Sequence, residues 1–179
     1  TQNGLVSQNN SSLDYMKLSG EVSTSDQEDI KLIEKTLTLD FAQSLKVKWQ
    51  HNPAANTSSF TIDSIKKTGQ EVPLKLIWSG KSIDAEGDQS KGEETVLVPA
   101  NGVFKVLNIR AVQDLEDFAL VQLSEPVNVG QDLNGLISLA GLSDLRFTID
   151  ASQIKIYSPN TLEGNYALTV NEGIENING

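Results

Sequence analysis

Short stretches in which apolar and polar residues alternate recur along this chain. The clearest is LKVKWQ (45–50), where leucine, valine and tryptophan alternate with two lysines and a glutamine. Because successive side chains of a strand point to opposite faces, this pattern predicts a half-buried antiparallel strand. The same period occurs in FTIDSI (60–65) and VPLKLIW (72–78), so we expect a first group of strands, which ends near Pro99.

The alternating pattern restarts after the Pro-Ala-Asn-Gly stretch at 99–102. Short strand-like segments separated by turn signals are typical of a sandwich or barrel. The segments of this second group are FKVLNIRAV (104–112), FALVQL (118–123), LRFTID (145–150), IKIYS (154–158) and YALTV (166–170). Their alternation predicts eight buried side chains: Leu145, Phe147, Ile149, Ile154, Ile156, Tyr166, Leu168 and Val170.

One segment, SDQEDIKLIEKTL (25–37), has the spacing of a helix. Ser25 with Glu28 three residues later forms a capping box, and acidic residues crowd the first turn, where the helix dipole favours them. Ile30, Ile33 and Leu37 would form its buried stripe. We expect about three turns and no second helix, so a parallel sheet with crossover helices is not expected.

These patterns predict an all-β protein made of two tandem immunoglobulin-like antiparallel β-sandwiches, with one short helix in the first. Residues 1–13 are polar and without periodicity, so we interpret them as a disordered linker. The first domain is expected over 14–101 and the second over 102–179. Each is near the size at which two sheets can pack their apolar faces together.

Composition excludes several functional classes. The net charge of -10 argues against a general binder of nucleic acids or of anionic membranes, because both need a basic surface. The absence of cysteine excludes a cysteine nucleophile, cysteine-ligated zinc, iron–sulfur clusters and disulfides. No stretch approaches the roughly 18 apolar residues that a membrane helix needs.

The residues that could carry chemistry all have simpler interpretations. His51 is the only histidine, and at a strand end before an Asn-Pro turn it is expected to serve the turn or the packing. A triad with serine and aspartate is possible, but no nucleophile elbow accompanies the histidine. The acidic stretches DAEGD (84–88) and DLED (114–117) lack the spacing of a calcium loop and are expected to be solvated loop tips.

The two tryptophans could form a platform for a sugar. Trp49 and Trp78 both lie in phase with apolar neighbours on alternating strands, which favours a role in the core. No Gly-x-x-x-x-Gly-Lys-Ser loop for phosphate is present. We therefore assign no catalytic, cofactor-binding or metal-binding residue, and we expect that the chain is not an enzyme.

The order of the segments resembles the bacterial alpha-2-macroglobulin family. The first domain is similar to one macroglobulin-like domain of the N-terminal half and the second to the next one. The segments that carry the resemblance are LSGEVSTSDQEDIKLIEKTL, LKVKWQHN, SFTIDSIKK, LKLIWSGKSI, ETVLVPANGVFKVLNI, FALVQLSEPVNVGQDLNGLISL, LRFTIDASQIKIYSP and LEGNYALTVNEGIENING. Together they extend over roughly residues 15–179.

This resemblance implies a non-catalytic scaffold in a protease-trapping inhibitor. The parent would be periplasmic and often anchored by an N-terminal lipid. Its partners would be its own other domains and the target proteases. In many members a thioester forms within a Cys-x-Glu-Gln motif, which this cysteine-free chain cannot hold. The whole chain is then expected to act through contacts between domains, without membrane insertion.

A rival hypothesis is a pair of immunoglobulin-like domains from a surface adhesin or glycan-binding protein. It rests on the Ser-Glu-Pro stretch at 124–126, on the acidic surface and on the two tryptophans. In both hypotheses the Ser-Glu-Pro stretch is expected to turn the chain out at a sheet edge, where Pro126 blocks further pairing. The following VNVGQDLN would cross to the other sheet, and Gly-Leu-Ile (135–137) would re-enter the core.

Overall fold

Antiparallel pairing builds both halves of this protein. The computed structural model describes residues 2–9, 13–113, 115–160 and 164–179, and every pairing between its strands is antiparallel. The described residues fall into two units. Unit 1 comprises those within 1–8 and 14–101, and unit 2 comprises those within 9–13 and 102–179. The prediction of an all-β protein with antiparallel sheets is confirmed.

Unit 1 has two sheets. One sheet has the strand order β1-β2-β5-β4 and the other the order β3-β6-β7. The strands are β1 (Gln2–Ser7), β2 (Tyr15–Ser23), β3 (Leu37–Asp40), β4 (Val47–Asn52), β5 (Thr57–Lys66), β6 (Val72–Ser79) and β7 (Lys91–Val98). The alternation predicted in 45–50 and 72–78 is present, and in 60–65 it holds as far as Asp63.

A bulge in β5 keeps its apolar residues in the core. Phe60 and Ile62 are buried at the usual two-residue spacing, but the next buried residue is Ile65. Between them Ser64 takes a φ of 60°, and its backbone N–H donates to Gln8 Oε1 over 2.8 Å. The extra residue shifts the phase of the strand by one position, which brings Ile65 back to the inner face.

Unit 2 also has two sheets, of four and two strands. The larger has the order β11-β12-β9-β8, and the smaller pairs β10 with β13. The strands are β8 (Val106–Val112), β9 (Phe118–Leu123), β10 (Ile137–Leu139), β11 (Arg146–Asp150), β12 (Gln153–Tyr157) and β13 (Leu168–Val170). β8 and β9 form the predicted hairpin. Asp114, between these two strands, lies outside the described residues.

The core of unit 2 lies between its sheets. Ile154 and Ile156 of β12 are fully buried, as predicted, and they share one cluster with Val121 of β9 and Ile137 of β10. The chain thus crosses from β9 in one sheet to β10 in the other, as the sequence predicted. Five of the remaining predicted residues are partly buried against this cluster: Leu145, Phe147, Ile149, Leu168 and Val170. Tyr166 was wrongly predicted, since it is 37% exposed.

The Ser-Glu-Pro stretch is buried and does not lie at a sheet edge. Ser124 and Glu125 are 2% and 1% exposed, and the strand they leave, β9, is flanked by β8 and β12. The expectation of an edge position was therefore wrong. Ser124 Oγ donates to the Val103 carbonyl over 2.7 Å and accepts from the Lys105 N–H over 2.9 Å, so the hydroxyl closes the turn by hydrogen bonding.

Glu125 is joined to the end of the described chain. Asn176 Nδ2 donates to Glu125 Oε2 over 2.7 Å, and the Ile177 N–H donates to the Pro126 carbonyl over 3.1 Å. Val127 forms an isolated antiparallel bridge with Asn176. A buried carboxylate without partners would cost several kcal/mol of stability. These contacts give hydrogen-bond partners to polar groups that are shielded from water.

The predicted helix is present but much shorter than expected. α1 covers Ile30–Ile33, and a 3₁₀ turn follows over Glu34–Thr36. The capping box was wrong, since the cap is Asp29, whose carboxylate accepts from the Lys31 N–H over 2.8 Å. The helix ends early because β3 begins at Leu37 and pairs with β6. Over the described ranges no helix is long and apolar enough to cross a membrane.

Two further expectations about this part of the chain were wrong. Residues 2–7 of the expected linker form β1, which pairs with β2 and buries Leu5 to 5% exposure. Positions 1 and 10–12 of that linker lie outside the described residues. Ile30 is 44% exposed, so only Ile33 and Leu37 of the predicted helical stripe are buried. In residues 2–7, pairing with β2 overrides the weak local strand preference of a polar segment.

We expect Asn176→Ala to lower the free energy of unfolding of unit 2 by about 1–3 kcal/mol, because Glu125 loses a hydrogen-bond donor while it stays buried. Both tryptophans lie in unit 1, so amide hydrogen exchange in β9 and β12 is the suitable measurement. Asn178→Ala is the control, since the side chain of Asn178 is exposed. Equal exchange rates in the two variants would contradict a stabilising role for the Glu125 contact.

Candidate functional site

A cleft of about 740 Å³ opens in unit 1. Its walls come from the end of β2, the loop that follows it, the end of β6, and β7. Its floor is formed by Leu37, Phe60, Leu76, Trp78 and Ile83, of which the first three are buried and only Trp78 and Ile83 are partly exposed. Phe60 and Leu76 belong to different sheets, so the cleft lies where the two sheets of unit 1 part.

Trp78 is placed in the floor by a glycine on the neighbouring strand. Trp78 of β6 lies opposite Gly92 of β7 in the antiparallel register. A Cβ atom at Gly92 would lie only 2.5 Å from Trp78 Cζ2, a distance that real Cβ atoms do not adopt. The indole therefore packs against the bare Cα of Gly92, and this close approach explains why glycine interrupts an otherwise substituted strand.

Local hydrogen bonds hold the turn that forms one rim of the cleft. A 3₁₀ turn covers Gly80–Ile83, and Ser79 Oγ accepts from the Lys81 N–H over 3.4 Å at its start. The Ala85 N–H donates to the Gly80 carbonyl over 3.0 Å. Ser82 Oγ donates to the Leu32 carbonyl over 2.9 Å, which ties this rim to α1.

The rim carries negative charge from several segments. Six of the described residues that line the cleft carry carboxylates: Glu21, Asp26, Glu28, Asp84, Glu86 and Glu94. No lysine, arginine or histidine is among these described lining residues. Charges of one sign around a low-dielectric cleft focus the electric field and attract counter-charged ligands. Within the described residues no group of three or more histidine or acidic side chains is placed to hold a metal ion.

His51 is not part of this cleft. Its Nδ1 lies 2.9 Å from Ser58 Oγ, and its Nε2 lies 3.3 Å from Glu34 Oε1. The order serine, histidine, acid is that of a hydrolytic triad. Ser58 is only 3% exposed, however, and the hollow beside it holds about 20 Å³, which is room for roughly one water molecule. A substrate carbonyl has no approach to this hydroxyl.

Trp49 does not line the cleft, although it packs against Phe60 of its floor. Its ring stacks on His51 with centroids 6.0 Å apart and an interplanar angle of 7°, and it meets Phe60 at 5.7 Å in a tilted arrangement. Trp49 and Trp78 are both partly buried, so neither has the full burial that the sequence favoured. Only Trp78 lines the cleft, and the described structure does not join the two indoles in one platform.

The acidic stretches of the sequence have different surroundings. Asp84 and Glu86 of DAEGD stand at the rim of the cleft, while the side chain of Asp88 lies outside the described residues. In DLED, Glu116 forms an exposed ion pair with Arg146. Sequence reasoning interpreted both stretches as isolated loop tips. The signal that was missed is that acidic residues follow β2 at 26–29 and follow β6 at 84–88. The ends of these two strands both line the cleft.

We expect Gly92→Ala to lower the free energy of unfolding of unit 1 by about 1–3 kcal/mol, since the new methyl group must displace the Trp78 ring. The measurement is denaturant unfolding followed by tryptophan fluorescence in a Trp49→Phe background, which reports on Trp78 alone. Gly69→Ala is the matched control, because nothing lies within 4 Å of a Cβ at Gly69. An unchanged Trp78 emission in Gly92→Ala would contradict the close packing.

The chain matches no protein-family model, no curated protein sequence and no solved structure.

Proposed function

We propose that this chain is a non-catalytic scaffold segment of a bacterial alpha-2-macroglobulin-like protease inhibitor. Its two units would be tandem immunoglobulin-like, that is macroglobulin-like, β-sandwiches. One observation carries the proposal. In unit 2, polar side chains of the resembling segments form hydrogen bonds that join separate loops.

The segment 118–139 and the segment 162–179, which both resemble the family, meet in unit 2. Besides the Glu125 contact with Asn176, Gln131 Nε2 donates to the Gly173 carbonyl over 2.6 Å. Asn171 Nδ2 donates to the Gly135 carbonyl over 3.0 Å. The polar residues of both segments are thus used in holding loops together, which supports a structural role.

The proposal assigns the working surfaces to the outside of the two units. The partners would be other domains of the same parent chain, and target proteases would be engaged through the full-length protein. The parent would act in the periplasm, where an N-terminal lipid could anchor it to a membrane. Ser58 is buried and hydrogen-bonded to His51, which favours a non-catalytic role over a hydrolase.

The adhesin or glycan-binding alternative is favoured by one observation, the position of Trp78 in the floor of the cleft. Sugars stack on exposed aromatic faces. Against this alternative, one side of the Trp78 indole is packed on Gly92, and Trp49 turns towards Phe60. The scaffold proposal is therefore the one that more of the contacts support.

The protease-trap proposal is tested on the full-length protein, whose reading frame is first determined from the coding DNA on both sides of this segment. We expect a long frame that includes further sandwich domains. After a protease cuts the parent, it should lose activity on a large protein substrate and keep activity on a small peptide, because trapping hinders access without blocking the active site. Equal loss on both substrates, or no loss, would contradict trapping.

The scaffold role is tested separately with Asn176→Ala in the same full-length protein. We expect the rate at which the protease cuts the parent to stay unchanged, while the fraction of protease that becomes trapped decreases. Asn178→Ala should behave like the natural protein. A frame of repeated sandwich domains that ends in a cell-wall signal would support the adhesin alternative and overturn the inhibitor proposal.

A further inference from the structure

We propose that the free edge of β11 in unit 2 pairs with the same edge of a second copy of this chain. The residues Arg146–Asp150 of the two copies would run antiparallel to each other across a two-fold axis. This pairing would join the four-stranded sheets of the two copies into one continuous sheet. The inference concerns an interaction surface of unit 2 and does not rest on the proposed function.

The backbone of β11 has open hydrogen-bonding groups on one side. A two-residue turn at 151–152 joins β11 to β12, with Asp150 opposite Gln153. The residues that close such a turn bond to each other, so alternation along the ladder directs the N–H and C=O groups of Phe147 and Ile149 away from β12. β11 is the last strand of its sheet, and among the described residues these outward groups have no hydrogen-bond partner. They are a template on which another strand can pair.

The other edge strands of the two units have features that hinder such pairing. The ladders of β1 and of β8 each contain a register shift. β4 carries Lys48, and the side chain of Glu94 on β7 lines the cleft. β3, β10 and β13 have only three or four residues each. β11 has five residues in regular register, without proline, lysine or glycine, so it is the edge with the fewest obstacles to a second strand.

The charges of β11 are complementary to themselves in one antiparallel register. With Thr148 of both copies at the two-fold axis, Arg146 of one copy lies opposite Asp150 of the other. Opposite charges at directly facing positions stabilise a strand pair, and the symmetry provides this contact twice. Within the described residues Asp150 has no ion pair, and Arg146 remains 56% exposed beside Glu116 and has further N–H donors to offer.

The same register also pairs the open backbone groups. Phe147 of one copy lies opposite Ile149 of the other, and both residues direct their N–H and C=O groups towards the new partner. Thr148 then faces Thr148 in a non-hydrogen-bonded pair, in which Cα atoms are about 4.5 Å apart. A shift by one residue would set open groups against groups already bonded to β12, and a shift by two would separate Arg146 from Asp150.

Apolar surface lies beside this edge. A hollow of about 410 Å³ is lined by Leu145, Phe147 and Ile149, and by Val129 of the loop after β9. The first three are partly exposed, and Val129 is 75% exposed. Phe147 and Ile149 of a second copy would cover part of this surface, and removal of apolar area from water favours association. The contact between two short strands is small, so we expect a weak, reversible dimer.

The first experiment measures the mass of the whole chain by sedimentation equilibrium, with dimer expected to form as the concentration rises from about 5 µM to about 0.5 mM. Arg146→Asp and Asp150→Arg each replace both ion pairs by like-charge contacts, so each variant alone should dimerise at least about tenfold more weakly. An equal mixture of the two should restore the dimer, because one copy then presents two acidic side chains and the other two basic ones. Circular dichroism checks that each variant is folded.

The matched controls are Lys46→Asp and Asp40→Arg, at exposed positions of unit 1. They change the net charge of the chain by the same amounts. We expect dimerisation within about twofold of that of the natural chain, whether these variants are alone or mixed, since only screened long-range charge is altered.

The second experiment tests the register. The chain has no cysteine, so Thr148→Cys places a single thiol at the two-fold axis. The Cα separation of a non-hydrogen-bonded pair falls within the range that a disulfide bridges. With oxidised glutathione as the oxidant, we expect disulfide-linked dimers to form several-fold faster in Thr148→Cys than in Ser138→Cys, an exposed position on β10.

Three results would overturn the proposal. The chain could remain a monomer at about 0.5 mM, which would leave the edge of β11 for a strand of another protein. The mixture of the two charge variants could contain no more dimer than either variant alone, so that any dimer would use a different surface. The two cysteine variants could cross-link at equal rates, which would mean that the thiols meet only by random collision.

Discussion

Burial of the Glu125 carboxylate is the constraint on which unit 2 depends. A carboxylate that is 1% exposed needs hydrogen-bond donors, and Asn176 supplies one from the far end of the unit. The chain after β13 returns to the turn that follows β9 and makes this contact there. This return also brings the Glu175 carbonyl to the Asn128 N–H at 3.0 Å. These hydrogen bonds hold the loop after β9 and the chain after β13 together.

Unit 1 depends on a different kind of contact, the packing of an aromatic ring on a glycine. Trp78 and Gly92 lie opposite each other on β6 and β7, and the register of these strands cannot slip without placing a side chain under the indole. Leu37 of β3 is the partner of Trp78 on its other side. The same ring therefore fixes the register of one sheet and provides part of the floor of the cleft.

Much of the strand pattern could be predicted from the sequence because alternation is a local property. The hairpin of β8 and β9 and the buried face of β12 followed directly from it. Contacts between distant residues could not be predicted in this way. The pairing of the polar β1 with β2, the early end of α1 before β3, and the burial of Ser124 and Glu125 all depend on partners far along the chain, which override local propensity.

The cleft was missed for the same reason, since its acids come from separate loops that meet only in the folded unit. Elsewhere in unit 1 acids stand beside cations. Asp63 lies 2.7 Å from Lys48 Nζ, and Glu93 lies 3.9 Å from Lys75 Nζ.

In the part of the chain that the structure describes, no lysine or arginine lines the cleft, where six carboxylates lie around a largely buried floor. Like charges drawn together by folding oppose the folded state. Burial of Leu37, Phe60 and Leu76 in the floor opposes this cost, since these side chains are only 8%, 4% and 3% exposed.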